Sequence, residues 1–308
     1  MLGFYLCRGH YVPGAGIWWQ DLATELDTAR NFRCTPKSDS NLEIFSLRVM
    51  LKRNAKAANN PQAHFIPNYV IHLLPPLIVH NHLPYGLELL NTDLKQHMKI
   101  DPGERSSAYS LDLSKDQRLQ VKVKYSGSTW RGNFTLTTHF DEKTTHLSSE
   151  AVDDNQNRQL SVHIRAEREG SCNVFFYAPY WIVNKTGLSL HVKVRDFHLR
   201  RLFSQLHLQA SSSNVVYDGS ADQVLLFSYK RHRKRAVNLK VCESEWSNDF
   251  GMECVATTGL VVCKDSERKK KYSVMMSVTS SQISPRLTKI VTFMPSFVVR
   301  NGSTKMLR

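Results

Sequence analysis

The sequence predicts an all-β chain of tandem β-sandwich modules with truncated modules at both ends. Three observations carry this: strand-like alternation, a recurring proline phrase and a recurring tryptophan phrase. Phe45, Leu47, Val49 and Leu51 alternate with Ser46, Arg48 and Met50, and Leu119, Val121 and Val123 alternate with Gln120, Lys122 and Lys124. Leu188, Leu190, Val192 and Val194 alternate in the same way with Ser189, His191, Lys193 and Arg195. A period of two marks strands with one face buried and the other wet. Only residues 20–32 fit a helical period, and a short helix or an irregular loop would both serve there.

Self-similarity sets the module length. Leu74-Pro75-Pro76-Leu77-Ile78-Val79-His80-Asn81, Ala178-Pro179-Tyr180-Trp181-Ile182-Val183-Asn184 and Met294-Pro295-Ser296-Phe297-Val298-Val299-Arg300-Asn301 are versions of one phrase. Asn184 follows Asn81 by 103 residues and Asn301 follows Asn184 by 117, an interval suited to a small sandwich module. Ser128-Thr129-Trp130-Arg131-Gly132-Asn133-Phe134 matches Ser244-Glu245-Trp246-Ser247-Asn248-Asp249-Phe250, with the tryptophans 116 residues apart.

Each phrase has a physical reading. Proline lacks a backbone donor and suits the start of a strand, after which the bulky run 180–183 can be buried on both faces. Asparagine ends the strand by bonding to backbone two residues on, and Gly187 supplies a turn. Trp130 and Trp246 are expected to anchor module cores. The expected division is residues 1–38 as the tail of a preceding module, 39–155 and 156–270 as two modules, and 271–308 as the start of another. Polar stretches 141–158 and 211–222 read as long loops. A sandwich left unfinished exposes a sheet edge, so a fragment of a longer protein is expected.

Composition bounds the function. With 308 residues and 41% hydrophobic content the chain holds about two domains, and wholesale disorder is excluded. Its longest apolar stretches, 69–79 and 174–183, fall short of the ~20 residues of a membrane helix. No secretory signal is expected at the N-terminus. The formal net charge of +14 favours acidic partners. Cys7, Cys34, Cys172, Cys242, Cys254 and Cys263 have neither disulfide-scaffold density nor zinc-knuckle spacing, so reduced cytosolic thiols are expected. Asparagine-x-serine/threonine triplets at Asn133, Asn184 and Asn301 would favour secretion if a signal were present.

The proline phrase from Pro179 to Leu188, together with Ser244-Glu245-Trp246-Ser247 and Phe250, resembles the adaptor-binding region of the vacuolar protein sorting-associated protein 13 family of bridge-like lipid transfer proteins. The second element is similar to that family's Ser-x-Trp-Ser-x-x-Phe. The resemblance covers the chain from about residue 40 onward, and paralogue D is the expected member. It implies a string of β-sandwich modules forming a hook beside a lipid-carrying rod, which captures proline-x-proline segments of organelle adaptors. It also implies that the asparagine ending each phrase belongs to a shared framework, which carries over to Asn81, Asn184 and Asn301. The match is best at Asn184. Asn81 is followed by His82-Leu83-Pro84-Tyr85-Gly86 in place of Lys185-Thr186-Gly187, and the third copy has one more residue between proline and asparagine.

The candidate peptide- or adaptor-binding residues are therefore Asn81, Asn184 and Asn301, each with two readings: a turn former or a partner contact. A bound extended peptide would add to an open strand edge, and the sequence does not name that edge. Lys230, Arg231, Arg233, Lys234 and Arg235 form an expected hairpin tip, readable as a solvated loop or as a contact for anionic lipid. Arg268-Lys269-Lys270-Lys271 is a second basic cluster. No nucleic acid is expected as partner, for want of any binding module. His72, His80 and His82 lack further ligands at metal spacing, and no catalytic motif is present, so neither metal, cofactor nor enzymatic activity is expected. The expected function is a non-catalytic targeting region of an intermembrane lipid transfer protein, cytoplasmic and peripheral at organelle contact sites. Expected roles are sorting to the vacuole or lysosome and mitochondrial organisation. The rival is an extracellular, glycosylated β-sandwich adhesion fragment.

Overall fold

The computed structural model describes residues 10–12, 22, 26–38, 43–54, 69–91, 96–111, 113–125, 127–137, 139–149, 160–194, 214–217, 224–229 and 236–298. Over these residues the architecture is all-β, in two compact units: Met1–Ala151 with Val162–Tyr177, and Val152–Ser161 with Ala178–Arg308. Within the ambiguous stretch 20–32, Leu22 is helical and a strand begins at Arg30.

In the first unit, β1 (Tyr11–Val12), β2 (Arg30–Pro36), β3 (Phe45–Arg53) and β4 (Tyr69–Leu74) form a four-stranded sheet in that order. The next nine strands are β5 (Leu77–His82), β6 (Leu87–Asn91), β7 (His97–Ile100), β8 (Arg105–Ala108), β9 (Gln117–Tyr125), β10 (Ser128–Leu136), β11 (Glu142–Ser149), β12 (Leu160–Glu169) and β13 (Ser171–Tyr177). They form one sheet in the order β7-β6-β9-β10-β11-β12-β13-β5-β8. This sheet folds over on itself. Phe134 of β10 meets Phe176 of β13 edge to face, with ring centroids 5.6 Å apart, and both are buried. Such contacts between facing sheet halves are how a sandwich hides its alternating apolar positions from water.

The second unit comprises β14 (Tyr180–Asn184), β15 (Leu190–Val194), β16 (Asn214–Tyr217), β17 (Val224–Phe227), β18 (Val237–Val241), β19 (Thr257–Asp265), β20 (Lys270–Ser280) and β21 (Lys289–Pro295). A five-stranded sheet, β17-β14-β21-β20-β19, and a three-stranded sheet, β16-β15-β18, share one apolar core. Ile182, Leu190, Leu239, Val278 and Phe293 are among its members, each withdrawn from solvent. The run Tyr180, Trp181 and Ile182 is buried throughout, and β14 is an interior strand paired on both edges, with β17 and β21.

The two units share one wiring. The order β8-β5-β13-β12-β11 in the first matches β17-β14-β21-β20-β19 in the second, and β7-β6-β9 matches β16-β15-β18. In each, the proline phrase is a strand paired parallel with the strand that ends the module: β5 with β13, and β14 with β21.

That pairing draws boundaries other than 38/39, 155/156 and 270/271. β12 and β13, expected at the start of the next module, complete the first unit, and β20 and β21 complete the second. The antiparallel meander β2-β3-β4 has the form of β11-β12-β13 and β19-β20-β21, and each meander runs up to a proline phrase. Parallel pairing across roughly a hundred residues leaves no local trace in sequence, which is why pattern reading did not reach these seams.

The alternation in β3 also has a different meaning. Leu47, Val49 and Leu51 join a core with Phe32, Cys34 and Leu22, yet Ser46 and Met50 on the other face are buried as well. A Cβ added at Gly170, in the β12–β13 turn, would lie 3.2 Å from the Met50 Cε, so the supposed wet face of β3 is covered by the neighbouring sheet.

Candidate functional site

The two described asparagines of the proline phrase are built alike. Asn81 is 0% exposed; its Oδ1 accepts from the Leu83 N–H at 3.0 Å, and its Nδ2 donates to the carbonyls of Tyr85 at 2.8 Å and Ile100 at 3.0 Å. Asn184 is 1% exposed; its Oδ1 accepts from the Thr186 N–H at 3.0 Å and hydroxyl at 2.7 Å, and its Nδ2 donates to the Leu188 carbonyl at 2.7 Å. The shared pattern, N–H of i+2 to Oδ1 and Nδ2 to O of i+4, is an Asx-type turn that ends a strand. The Asn184 turn closes through Gly187 at φ 71°, a left-handed conformation that costs a side-chain-bearing residue more than glycine. Opposite the asparagines in parallel register stand two fully buried rings, Phe176 across from Asn81 and Phe293 across from Asn184. Asn301 and the basic run of Lys230, Arg231, Arg233, Lys234 and Arg235 lie outside the described residues.

The tryptophan phrases diverge. In the first unit Trp130 is 6% exposed within β10, with its Nε1 donating to the Tyr125 carbonyl at 3.1 Å. In the second unit residues 244–250 run beside β18 with three-residue steps against its two-residue steps. The N–H groups of Ser244, Ser247 and Phe250 donate to the carbonyls of Val241, Leu239 and Val237 in turn, and Val237 N–H returns a bond to the Phe250 carbonyl. At the first two places the strand's N–H goes instead to a serine hydroxyl, Val241 N to Ser244 Oγ at 3.0 Å and Leu239 N to Ser247 Oγ at 2.9 Å. Two buried hydroxyls thus replace carbonyls that a regular strand would offer, and the residues between them bulge outward. Trp246 therefore does not anchor a core: it is 37% exposed, with the Lys193 ammonium 5.6 Å from its ring centre. Phe250 keeps its place, contacting Phe293 edge to face as Phe134 contacts Phe176.

Among the described residues this divergence leaves a sheet edge open. In the first unit β10 continues the sheet beside β11, with Trp130 and Arg131 opposite Ser149 and Ser148. The approach is close enough that a Cβ at Gly132 would fall 2.8 Å from the His146 carbonyl oxygen, so glycine is needed there. The matching position in the second unit is Asn248, and among the described residues β19 pairs with β20 alone. Only its far end is capped, by the Glu245 N–H on the Lys264 carbonyl at 2.7 Å. Along that edge Leu260 is 58% exposed, and Val255 just before the strand is 43% exposed.

The histidines of β5 make an aromatic patch. His80 stacks on Phe175 at 4.5 Å and bonds to Asn173 through Nε2 at 3.0 Å, while His82 lies 5.3 Å from the same ring. Among the described residues no three His, Cys, Asp or Glu side chains converge as a metal site. Burial first, and His80 second, push the His82 pKa down. A base whose folded pKa lies below its unfolded value stabilises the fold above the unfolded pKa. That contribution is lost as pH falls from about 6.5 toward the lower folded pKa. His82→Phe should therefore lose less stability than the parent between pH 7 and 5 in urea titrations, and an equal loss in both would refute the assignment.

Comparison with known proteins adds the decisive observation. A family model described as vacuolar-sorting associated protein 13, adaptor binding domain, matches residues 14–308. The chain belongs to that adaptor-binding domain family. Intermembrane lipid transfer protein VPS13C of Mus musculus is 26% identical over 98% of the chain, and VPS13C of Homo sapiens is 29% identical over 94%. The chain spans only 8% and 7% of these relatives' own lengths. Human VPS13D is 25% identical over 61% of the chain, so paralogue D is not supported over paralogue C. Membership also displaces the adhesion-fragment reading. The amide of Asn184, one of the three triplet asparagines, is committed to an interior hydrogen bond in this adaptor-binding fold. No helix among the described residues is long and apolar enough to cross a membrane.

The exposed Trp246 and the open β19 edge are the parts of the domain that sequence reading missed. The available signal was Ser247, which follows Trp246 where the first copy has Arg131 after Trp130, since Ser244 is matched by Ser128.

Proposed function

We propose that the second unit captures an extended proline-x-proline peptide as an added strand along β19, and that the chain thereby serves as a non-catalytic targeting region of an intermembrane lipid transfer protein. The observation that carries this reading is the β19 edge, unpaired among the described residues and standing where the sister unit has a strand of its own. In an extended chain the N–H and C=O of one residue point to one side, and those of its neighbours to the other. Prolines at i and i+2 turn their missing donors away from the sheet, and the residue between them bonds to the edge. Both proline rings then share one face of the added strand, where Leu260 offers apolar contact.

In this reading Asn81 and Asn184 act through the turns they hold, since their side chains are interior, and Asn301 is assigned the same part by its phrase. The adaptors bearing such peptides would lie at organelle membranes and contact sites on the cytoplasmic side. They would direct the remainder of a lipid-carrying chain toward vacuole or lysosome sorting and mitochondrial organisation. The test is fluorescence anisotropy of a labelled proline-x-proline peptide with the chain. Leu260→Lys places a charge on the edge, a device that natural sheets use against strand addition. It should weaken binding at least tenfold while leaving the unfolding midpoint in place; a folded variant with parental affinity would sink the proposal.

The run Lys230, Arg231, Arg233, Lys234 and Arg235 is proposed to assist by touching anionic lipid, at about 1 kcal/mol per charge near the leaflet. Changing all five to Ser should reduce flotation with phosphatidylserine vesicles, and equal flotation would dismiss that role.

A further inference from the structure

Inside the first unit, two cross-strand pairs meet across a cavity of about 160 Å³. Asn31 and Arg48 are register partners on β2 and β3, and Arg168 and Cys172 are register partners on β12 and β13. All four line the cavity, with Leu113, Leu136 and Thr137 completing its wall. Its volume is about five times the ~30 Å³ share of one water in the liquid, room for one tetrahedral oxyanion.

The wall carries two guanidinium groups, and among the described residues no carboxylate lines it. Arg48 donates from Nη2 to the Ala29 carbonyl at 3.2 Å, and its buried Nε has no hydrogen-bond partner among the described residues. Arg168 donates from Nη2 to the Thr137 carbonyl at 3.3 Å, and its Nη1 stands 3.5 Å from Asp141, itself 91% exposed at the surface. Burial is the main influence on Arg48 and lowers its pKa; Cys172 opposes this and Arg168 adds to it. Burial raises the Cys172 thiol, which therefore stays neutral and brings no counter-charge. A buried unpaired guanidinium N–H beside a second like charge is costly unless water or an anion completes it, and an anion also offsets the charge. Guanidinium forks match the tetrahedral oxygens of phosphate, and Asn31 and Thr137 are polar residues of the same wall.

We propose that this cavity is an oxyanion site that takes a phosphate group through Arg48 and Arg168. The same group could arrive as free phosphate or as the monoester of a lipid headgroup. The site is separate from the β19 edge, which belongs to the other unit, and does not depend on peptide capture.

Calorimetric titration of inorganic phosphate into the 308-residue chain at constant ionic strength tests it. One saturable site per chain is expected, weakened at least tenfold by Arg48→Gln and by Arg168→Gln. Arg168 is one-third exposed, so its variant keeps the test valid should the Arg48 variant unfold. Flotation with phosphatidylcholine vesicles, with and without phosphatidylinositol 4-phosphate, distinguishes the sources. Recruitment by the phosphoinositide that is lost in Arg168→Gln supports the headgroup, and phosphate binding without such recruitment supports the free anion. Absence of saturable phosphate binding, or unchanged affinity in a folded Arg168→Gln chain, overturns the proposal.

Discussion

Phe293→Ala is expected to lower the stability of the second unit by about 3–5 kcal/mol, the range for truncating a large buried ring. Phe293 is 0% exposed and among the largest fully buried side chains. It lies on β21 in register with Asn184 of β14, and its ring meets Phe250 at 6.2 Å. Truncation would open a cavity where the proline-phrase strand, the closing strand and the tryptophan phrase converge. Collapse is hindered because β21 is pinned between β14 and β20. Amide hydrogen exchange in β14 and β21 reads the loss directly. Phe297→Ala, at a ring 85% exposed, serves as the control and should change stability by no more than about 0.5 kcal/mol. Similar losses in the two variants would show that the Phe293 ring does not hold the core.

Asn81→Ala is expected to cost about 2–4 kcal/mol, because it orphans several buried backbone groups at ~1–3 kcal/mol each, not all additively. The Leu83 N–H and the Ile100 carbonyl belong to residues 0% and 1% exposed, where water gives little relief. Asn184→Ala should cost less, about 1–2 kcal/mol, since Thr186 and Leu188 are in a partly exposed turn that water can reach. Urea denaturation of both variants gives the ranking. An Asn184 variant that loses as much as the Asn81 variant would mean that solvent access to the turn does not matter. Asn184→Ala should also weaken peptide capture through the deformed turn, and parental affinity in a folded variant would remove the residue from that role.

The sequence was most informative where the constraint is local. Alternation identified β3, β9 and β15, and the proline phrase marked β5 and β14 and located the strand-ending asparagines. What escaped was non-local. The parallel partners of β5 and β14 lie far along the chain, so the sequence reading ended the modules at residues 155 and 270, short of the closing strands. β3 carries Ser46 and Arg48 on a face that a second sheet covers, and polarity at those positions concealed the contact. Trp246 matched Trp130 letter for letter, but the serines beside it trade side-chain for backbone bonding and turn the indole outward. The edge left open at β19 follows from that trade, so it could not be read before the bonds were seen.

The closing strand of each module has a consequence for biosynthesis. β5 must wait for β13, roughly 95 residues further along, before its parallel ladder can form. At the 5–20 residues per second of ribosomal elongation this is a delay on the order of 5–20 s, during which Leu77 and Val79 can pair only with the short β8, opposite Ala108 and Ser106. The nascent first module therefore emerges from the exit tunnel with one side of a hydrophobic strand unmatched, a natural client for a co-translational chaperone.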